Sequence, residues 1–298
     1  MLGHTGHPAR EVTAPVPSPP PHDVDVFGHW AARSLAEKLQ RIDRPVVAMA
    51  AEFAEGNIGT HHDHPRGQIE YALTGVMTAI TDDGTWVVPP RTALWIPART
   101  MHQVRNWGPL SLRTLYLDMA VCAALPTGCR VFRVSDLLHA LIVEMVAVPH
   151  EYPLDGREAR IADLLIGELG RMPDVDLHAP MPQDRRLARI CREVLKDPAA
   201  EHDLDHWAGI GGMARRTLTR QFRRETGLTF NEWRQQVRLL EALPRLAAGE
   251  TVTNVALDLG YESPSAFTAM FRRTLGATPR DYLRTTTDGG AQARGGPG

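Results

Sequence analysis

Between residues 56 and 106 the stretches GNIGTHHDHPRGQIEYALTG and PARTMHQVRN gather side chains that can ligate a metal or hold a polar small molecule. His62 and His64 are two residues apart, so on an extended chain both point to one side. Gln68 and Glu70 share that parity if the chain re-enters a strand after Pro65-Arg66-Gly67. His102 offers a third imidazole. Two histidines, a carboxylate and a further histidine form a ligand set for a divalent first-row transition metal. The same residues could instead line or gate a small-molecule pocket without metal, or satisfy hydrogen bonds within a sheet, and their types and spacing leave all three roles open. Trp86, Trp95, Tyr71 and Met77 can furnish an aromatic pocket or plain core. His61, of opposite parity to His62, is expected to be exposed.

A second set of residues is basic and repeats. WAGIGGMARRTLTRQFRRETGLTFNEW from Trp207 and VALDLGYESPSAFTAMFRRTLGATPRDYL from Val255 align with Phe222 on Phe271, an offset of 49 residues. The alignment brings Leu218 onto Phe267, Arg223-Arg224 onto Arg272-Arg273, and Gly227 onto Gly276. Each copy reads as a short helix, a glycine turn, a second helix and a glycine stop, which is helix-turn-helix arithmetic. Ala208 and Ala256 let the paired helices approach closely. Leu218/Phe222 and Phe267/Phe271 are i, i+4 pairs that bury one face of each second helix. The opposite face of the first copy presents Arg216, Thr219, Arg220 and Arg223. Arginine can pair bidentately with guanine, and threonine can contact bases or the thymine methyl. In the second copy Ser263 is an N-cap, Pro264 takes the first helical position, and Ser265, Thr268 and Ala269 face outward. Arg223, Arg224, Arg272 and Arg273 suit phosphates better than base edges.

The elements that must hold these two sets differ in period. From Val46 to about Leu117 short apolar runs such as YALTGVMTAI, TWVV, ALWI and LRTLYL are broken by DDG, PP and PAR, the pattern of a sandwich or barrel. Asp83-Gly84 marks a hairpin. DLLHALIVEMV and REARIADLLIGELG then switch to helical spacing. Leu137, Leu141, Met145 and Val148 form either a dimer seam or a face packed on the chain's own sheet. Residues 172–183, with three prolines, read as a linker. Between the repeat copies, residues 230–249 are helical apart from Pro244, a span of about 28 Å, close to one duplex turn. The fold class expected is α+β and multidomain: a disordered leader (1–25), a β-barrel (46–120), a helical segment (135–171), an all-α domain with two helix-turn-helix motifs (183–284) and a disordered tail (285–298).

Composition narrows the function classes. The 298 residues are 43% hydrophobic and 23% charged, which excludes wholesale disorder and fibrous chains. No apolar run reaches the roughly 18 residues that span a bilayer, so no membrane partner is expected. The first residues lack the pattern of a secretory signal, and three scattered cysteines make no disulfide framework, so a cytoplasmic setting is expected. The net charge of -2 argues against nucleic acid until it is divided. Residues 1–182 hold 15 Lys+Arg against 21 Asp+Glu, whereas residues 183–284 hold 17 against 13. The basic part is also the repeated part.

Those stretches resemble a known family. RTLTRQFRRETGLTF, RLLEALPRLAAG and GYESPSAFTAMFRRTLGATPRDYL are similar to the DNA-binding domain of AraC/XylS-type bacterial transcription regulators over about 100 residues. The resemblance implies a regulator, an activator among its known forms, that reads double-stranded DNA through Arg216, Thr219, Arg220, Pro264, Ser265, Thr268 and Ala269. Residues 46–117, with HPRGQ, WVVPP and WIPA, resemble the two motifs of the cupin barrel and the effector domain of such regulators. That implies a pocket of His62, His64, Gln68, Glu70 and His102 for a small-molecule effector, or a divalent metal on His62, His64 and His102. The chain departs from the patterns at several points. Gln68 stands where metal-binding cupins carry an acid, and Arg99 replaces a glycine. Ala214 stands where a serine N-cap is usual, Gly209 weakens a helix, and Pro244 should kink the connecting one. The expected function is a DNA-binding regulator, not an enzyme, controlled from the barrel and acting alone or as a homodimer. The alternative is a metal-dependent cupin dioxygenase or isomerase with a helical appendage.

Overall fold

The structure is a computed structural model, and it describes residues 34–106 and 108–282. The expected leader (1–25) and tail (285–298) lie outside the described residues.

The alternating apolar runs form nine antiparallel strands in two sheets. One sheet has the order β1 (Val46–Phe53), β7 (Leu110–Leu117), β2 (Gly67–Thr74), β5 (Thr92–Ile96), β8 (Arg130–Arg133). The other runs β6 (His102–Asn106), β3 (Met77–Thr81), β4 (Gly84–Val88), β9 (His178–Pro180). The described strands of the two sheets share no ladder, so the expected closed barrel is an open pair of sheets, with β8 and β9 drawn from beyond residue 120. Thr81 pairs with Gly84, so the hairpin turn is Asp82-Asp83, one residue earlier than the Asp83-Gly84 signal. Gly84 serves another need: it has φ 151°, and a Cβ there would sit 2.4 Å from the Ala179 carbonyl oxygen of β9.

The larger sheet is covered on both faces, which explains why β2 is buried along nearly its whole length. One parity of β1, β2 and β7 (Val46, Ala48, Ile69, Tyr71, Leu115, Leu117) packs with Leu138, Leu141, Ile142 and Met145 of α3 (Asp136–Ala147). The helix α4 (Arg157–Leu169) adds Ala162 and Leu165 to that core. Of the four residues weighed as a dimer seam, Leu141, Met145 and Val148 are buried in this core, and only Leu137 is exposed. The other parity faces the second sheet and α1 (residues 34–39). A short α2 (Met119–Cys122) follows β7.

The proline-rich stretch expected as a linker is instead structural. Gly84, Thr85 and Trp86 pair with Pro180, Ala179 and His178 of β9. The indole of Trp233 donates to the Pro180 carbonyl at 2.8 Å. Gln236 donates to the Asp176 carbonyl. Residues of β4 and β9 and of the C-terminal helices belong to one continuous apolar core.

That C-terminal part comprises α5 (Arg185–Lys196), α6 (Leu204–Gly211), α7 (Arg215–Thr226), α8 (Phe230–Ala247), α9 (Val252–Asp258) and α10 (Pro264–Leu275). Ala208 and Ala256 are buried where the paired helices meet, and Leu218, Phe222, Phe267 and Phe271 are fully buried. Gly212 and Gly260 take left-handed φ of 62° and 75° at the two turns. Thr229 and Glu232 form a reciprocal capping box at the start of α8. Pro244 lies inside α8, which continues as one helix to Ala247. Among the described residues, no helix is long and apolar enough to cross a membrane.

Candidate functional site

The larger sheet presents its second parity to a cavity of about 540 Å³. The wall is built of cross-strand neighbours: Phe53 opposite Leu110, Ala51 opposite Leu112, Met49 opposite Thr114, and Gln68 opposite Tyr116. Val104 and Asn106 of β6 close it from the second sheet, and Glu37, Gln40 and Arg41 stand at the end of α1. The wall is therefore apolar at one end and polar where Gln68, Glu70, Thr114 and Tyr116 meet, a composition suited to a small amphipathic molecule.

The three histidines converge. His62 pairs through its backbone with His102 of β6, N to O at 3.0 and 2.9 Å in the two directions. Arg99 holds the loop before β6 in place, since its N–H donates to the His64 carbonyl at 2.9 Å. Arg99 takes φ 63°, the left-handed region a glycine would enter freely. The substitution for glycine thus keeps the backbone shape at some strain. The ring centroid of His102 lies 4.4 Å from that of His62 and 5.1 Å from that of His64. One ligand atom from each ring lies within 4.8 Å of the others.

Each ring rests its Nδ1 on a main-chain carbonyl: His62 on Thr60 at 2.9 Å, His64 on Arg66 at 2.6 Å, His102 on Thr100 at 2.8 Å. A carbonyl only accepts, so Nδ1 carries the hydrogen and a neutral ring keeps its lone pair on Nε2. Burial favours the neutral form of His64, lowering it below its usual value, and lowers His102 to about 4. His102 is fully buried, and its Nε2 has no protein partner. The Gln68 amide spans His64 Nε2 at 2.5 Å and Glu70 Oε1 at 3.0 Å. Glu70 is buried, its Oε2 is unpartnered, and burial raises its carboxyl to about 7.

His62, His64, Gln68 and Glu70 line the cavity, and His102 sits behind His62 and His64. His61 is exposed. Trp86 stacks on His178 at 4.5 Å, Tyr71 bonds His139 at 2.8 Å, and Trp95 donates to Pro126, so of the two roles weighed for these aromatics they take that of core. The wall residues Met49, Phe53, Thr114 and Tyr116 went unread in the sequence, although period-two alternation along β1 and β7 marks them. Arg66 also went unread. Its buried guanidinium donates to the Ile42 carbonyl at 2.8 Å and to those of Pro45 and Tyr116, tying the chain before β1 to β2 and β7.

The second candidate surface is on the helices. Arg216, Thr219 and Arg220 are exposed on α7, opposite the buried Leu218 and Phe222. Arg216 and Arg220 enter no ion pair or side-chain hydrogen bond among the described residues. The Thr219 hydroxyl donates to the Arg215 and Arg216 carbonyls of its own helix, which leaves its methyl outward. On α10, Ser265 and Ala269 are exposed, Pro264 and Thr268 are half-buried, and the four edge a shallow depression with Arg272 and Arg273. Arg223, Arg224, Arg272 and Arg273 are exposed in the last turns of α7 and α10.

Residues 46–195 match the model of the AraC-like ligand binding domain, and residues 207–285 match that of a helix-turn-helix domain. The chain belongs to the AraC family of helix-turn-helix transcription regulators. It is 34% identical over 226 residues to the HTH-type transcriptional regulator NimR of Escherichia coli, across 76% of this chain and 82% of that one. It is 36% identical over 103 residues to the HTH-type transcriptional regulator RipA of Corynebacterium glutamicum, across 35% and 31% of the two chains. A solved DNA-binding domain of AdpA in complex with a target DNA is 30% identical, covering 36% of this chain and 96% of that domain, with a TM-score of 0.33. Membership makes the chain a DNA-binding transcription regulator and sets aside the cupin-enzyme alternative. The three-histidine cluster is able to hold a metal, and that capacity does not make it a catalytic centre.

Proposed function

We propose that the cavity between the sheets takes a small-molecule effector and that α7 and α10 read DNA as the second helices of two helix-turn-helix motifs. The observation that carries the reading is the pair of free arginines on α7. Arg216 and Arg220 stand on the face opposite a fully buried one, with no partner among the described residues. Arg216, Thr219 and Arg220, with Pro264, Ser265, Thr268 and Ala269, contact base edges. Arg223, Arg224, Arg272 and Arg273 contact phosphates. The 18 residues of α8 measure about 27 Å, which sets the two reading helices on successive turns of the groove. The sensing unit starts at residue 46 and the reading unit spans 183–284. Being a DNA reader, the protein works in the cytoplasm.

Control runs by linkage: the effector binds the DNA-competent state more tightly than the other. The route is short, because β9 and α8 join the units through Trp233 and Gln236. The exposed Leu137 and Val143 of α3 and Leu164 of α4 form the contact of a homodimer. The test is footprinting of a promoter fragment by the full chain beside Arg216→Ala and Arg220→Ala. Wild-type footprints from both variants would refute the assignment of α7.

A second reading for the barrel is favoured by His102, whose buried Nε2 lacks a partner. Here His62, His64 and His102 hold a divalent transition metal. One ring nitrogen from each histidine lies within 4.8 Å of the others, a spacing that fits such an ion. The Gln68 amide is a poor replacement for an anionic ligand. Metal analysis of the purified chain and of His62→Ala tests it: near-stoichiometric metal in the first and none in the second is the expected pattern.

A further inference from the structure

We propose that the cavity selects ligands with a basic nitrogen on an apolar body, and that Glu70 is the residue that receives that nitrogen. This rests on the effector-cavity reading above and gives it a ligand chemistry.

The argument begins with proton bookkeeping along His64, Gln68 and Glu70. His64 Nδ1 gives its hydrogen to the Arg66 carbonyl, so the neutral ring offers a lone pair at Nε2. Gln68 contacts that lone pair and must meet it with its NH2 group. In the structure the amide oxygen lies on His64 Nε2 and the NH2 group donates to Glu70 Oε1; turned over, which leaves its shape unchanged, the amide meets the lone pair with NH2 and accepts a proton from Glu70 Oε1. Glu70 Oε2 is then left as a buried acceptor without a partner among the described residues. A buried acceptor left unpaired is costly, and a ligand that supplies the missing donor removes that cost.

The surroundings decide which donor. Glu70 and Tyr116 line the polar end, while Met49, Phe53, Leu110 and Leu112 line the rest. The charged side chains around the opening are Glu37, Asp63 and Arg41, and the described lining carries no lysine and no further arginine. Asp63 is bound to Arg99 at 3.4 Å. A ligand carboxylate would enter with no cation waiting at the polar end and with Glu70 against it. An amine that enters neutral takes the Glu70 proton, and an ammonium enters as that proton leaves to solvent; either way an ammonium–carboxylate pair results in a poorly solvated site. An alcohol can fill the same hydrogen bond without the charge.

The experiment uses the full chain after chelator treatment, with three probes of one skeleton: 2-phenylethylamine, 2-phenylethanol and 3-phenylpropionate. Calorimetric titration at neutral pH should give the amine at least about tenfold tighter binding than either other probe. Glu70→Gln, close in shape, should bring the amine down to the level of the alcohol, and Glu70→Asp should keep part of the preference. The proposal is overturned if no amine binding saturates in the millimolar range, if the carboxylate or alcohol binds as well, or if Glu70→Gln binds the amine as wild type does. DNA affinity measured on the same preparations separates the two readings. A chain that binds DNA but no amine refutes only the ligand class. A chain that binds the amine but no DNA refutes the proposed function and leaves the ligand class standing.

Discussion

The cavity and the exposed face of α7, proposed to read DNA, place polar groups in opposite ways. Around the cavity, Glu70, His64 and His102 are buried, and Glu70 Oε2 and His102 Nε2 have no partner among the described residues. On α7, Arg216 and Arg220 are equally without partners but stand in water, where an unpaired charge costs little. The first arrangement stores an unfavourable term that a ligand can relieve. The second stores nothing and waits for a polyanion. The difference teaches where each half can be perturbed: changes at the cavity should alter stability as well as binding, while changes on the reading face should alter binding alone.

The largest effect expected comes from breaking the buried side of the reading helix. Phe222 is fully buried and touches Phe230 and Trp233 edge-on at 5.3 and 5.8 Å. Phe222→Ala should lower unfolding free energy by about 3–5 kcal/mol, read by denaturant titration. A loss under about 1 kcal/mol would mean that α7 is not packed as described. At the same helix Arg216→Ala and Arg220→Ala should leave stability unchanged and weaken specific DNA binding by about 1–3 kcal/mol each. If either variant melts well below wild type, the claim that this face stores nothing is wrong.

The cavity should behave in the reverse manner. The Glu70 carboxyl is raised from 4.5 to about 7 by burial, so the folded state holds a proton that the unfolded state has released across that interval. Stability then falls as pH rises from about 4.5 to 7 and is level above it, a total of about 3 kcal/mol. His102, lowered to about 4, acts with the opposite sign between pH 4 and 6.5, because there the unfolded state binds the extra proton. The two slopes oppose one another in the wild type. Glu70→Gln should therefore gain stability at pH 8 and show a steeper loss on acidification than wild type. Denaturant titrations across that range check both signs, and an unchanged profile would mean that Glu70 is already ionised in the folded chain.

The same contrast explains what could be read in advance. The helical part was legible because its logic is local: Leu218 and Phe222 are four residues apart, and so are Arg216 and Arg220, so one helix period sorts core from contact face. The repeat sets Leu218 and Phe222 on Phe267 and Phe271 at an offset of 49 residues, so the buried face is marked twice. Strand parity likewise brought Gln68 and Glu70 to the cavity. The rest of the wall depends on which strand lies beside which, and the neighbours of β7 are β1 and β2, far away in sequence. Period-two alternation puts Thr114 and Tyr116 on one face of β7, but no local pattern encodes the register that turns that face to the cavity. Residues 172–183 misled for a related reason. Prolines exclude an inner strand position but tolerate an edge, and β9 is the edge strand beside β4. Its fastening to Trp233 and Gln236 is made by backbone carbonyls, which carry no sequence signature.

The smallest effect expected compares the two repeat copies directly. Ser263 caps α10, its hydroxyl accepting from the Ala266 N–H at 3.2 Å. Ala214 occupies the matching place before α7 with extended backbone, φ -72° and ψ 146°, and no side chain to offer. The backbone is already shaped for a cap, so Ala214→Ser needs only the hydroxyl. It should stabilise the chain by about 1 kcal/mol, and Ser263→Ala should destabilise it by a similar amount. Hydrogen exchange at the Thr217 N–H, the third position of α7, should slow in Ala214→Ser. Because that amide lies in the turn that carries Arg216, the same variant should sharpen DNA binding slightly if the uncapped start of α7 frays before it meets the groove. If exchange slows and DNA affinity stays level, the first turn is already ordered when it binds, and the missing cap is a weakness of the free protein only.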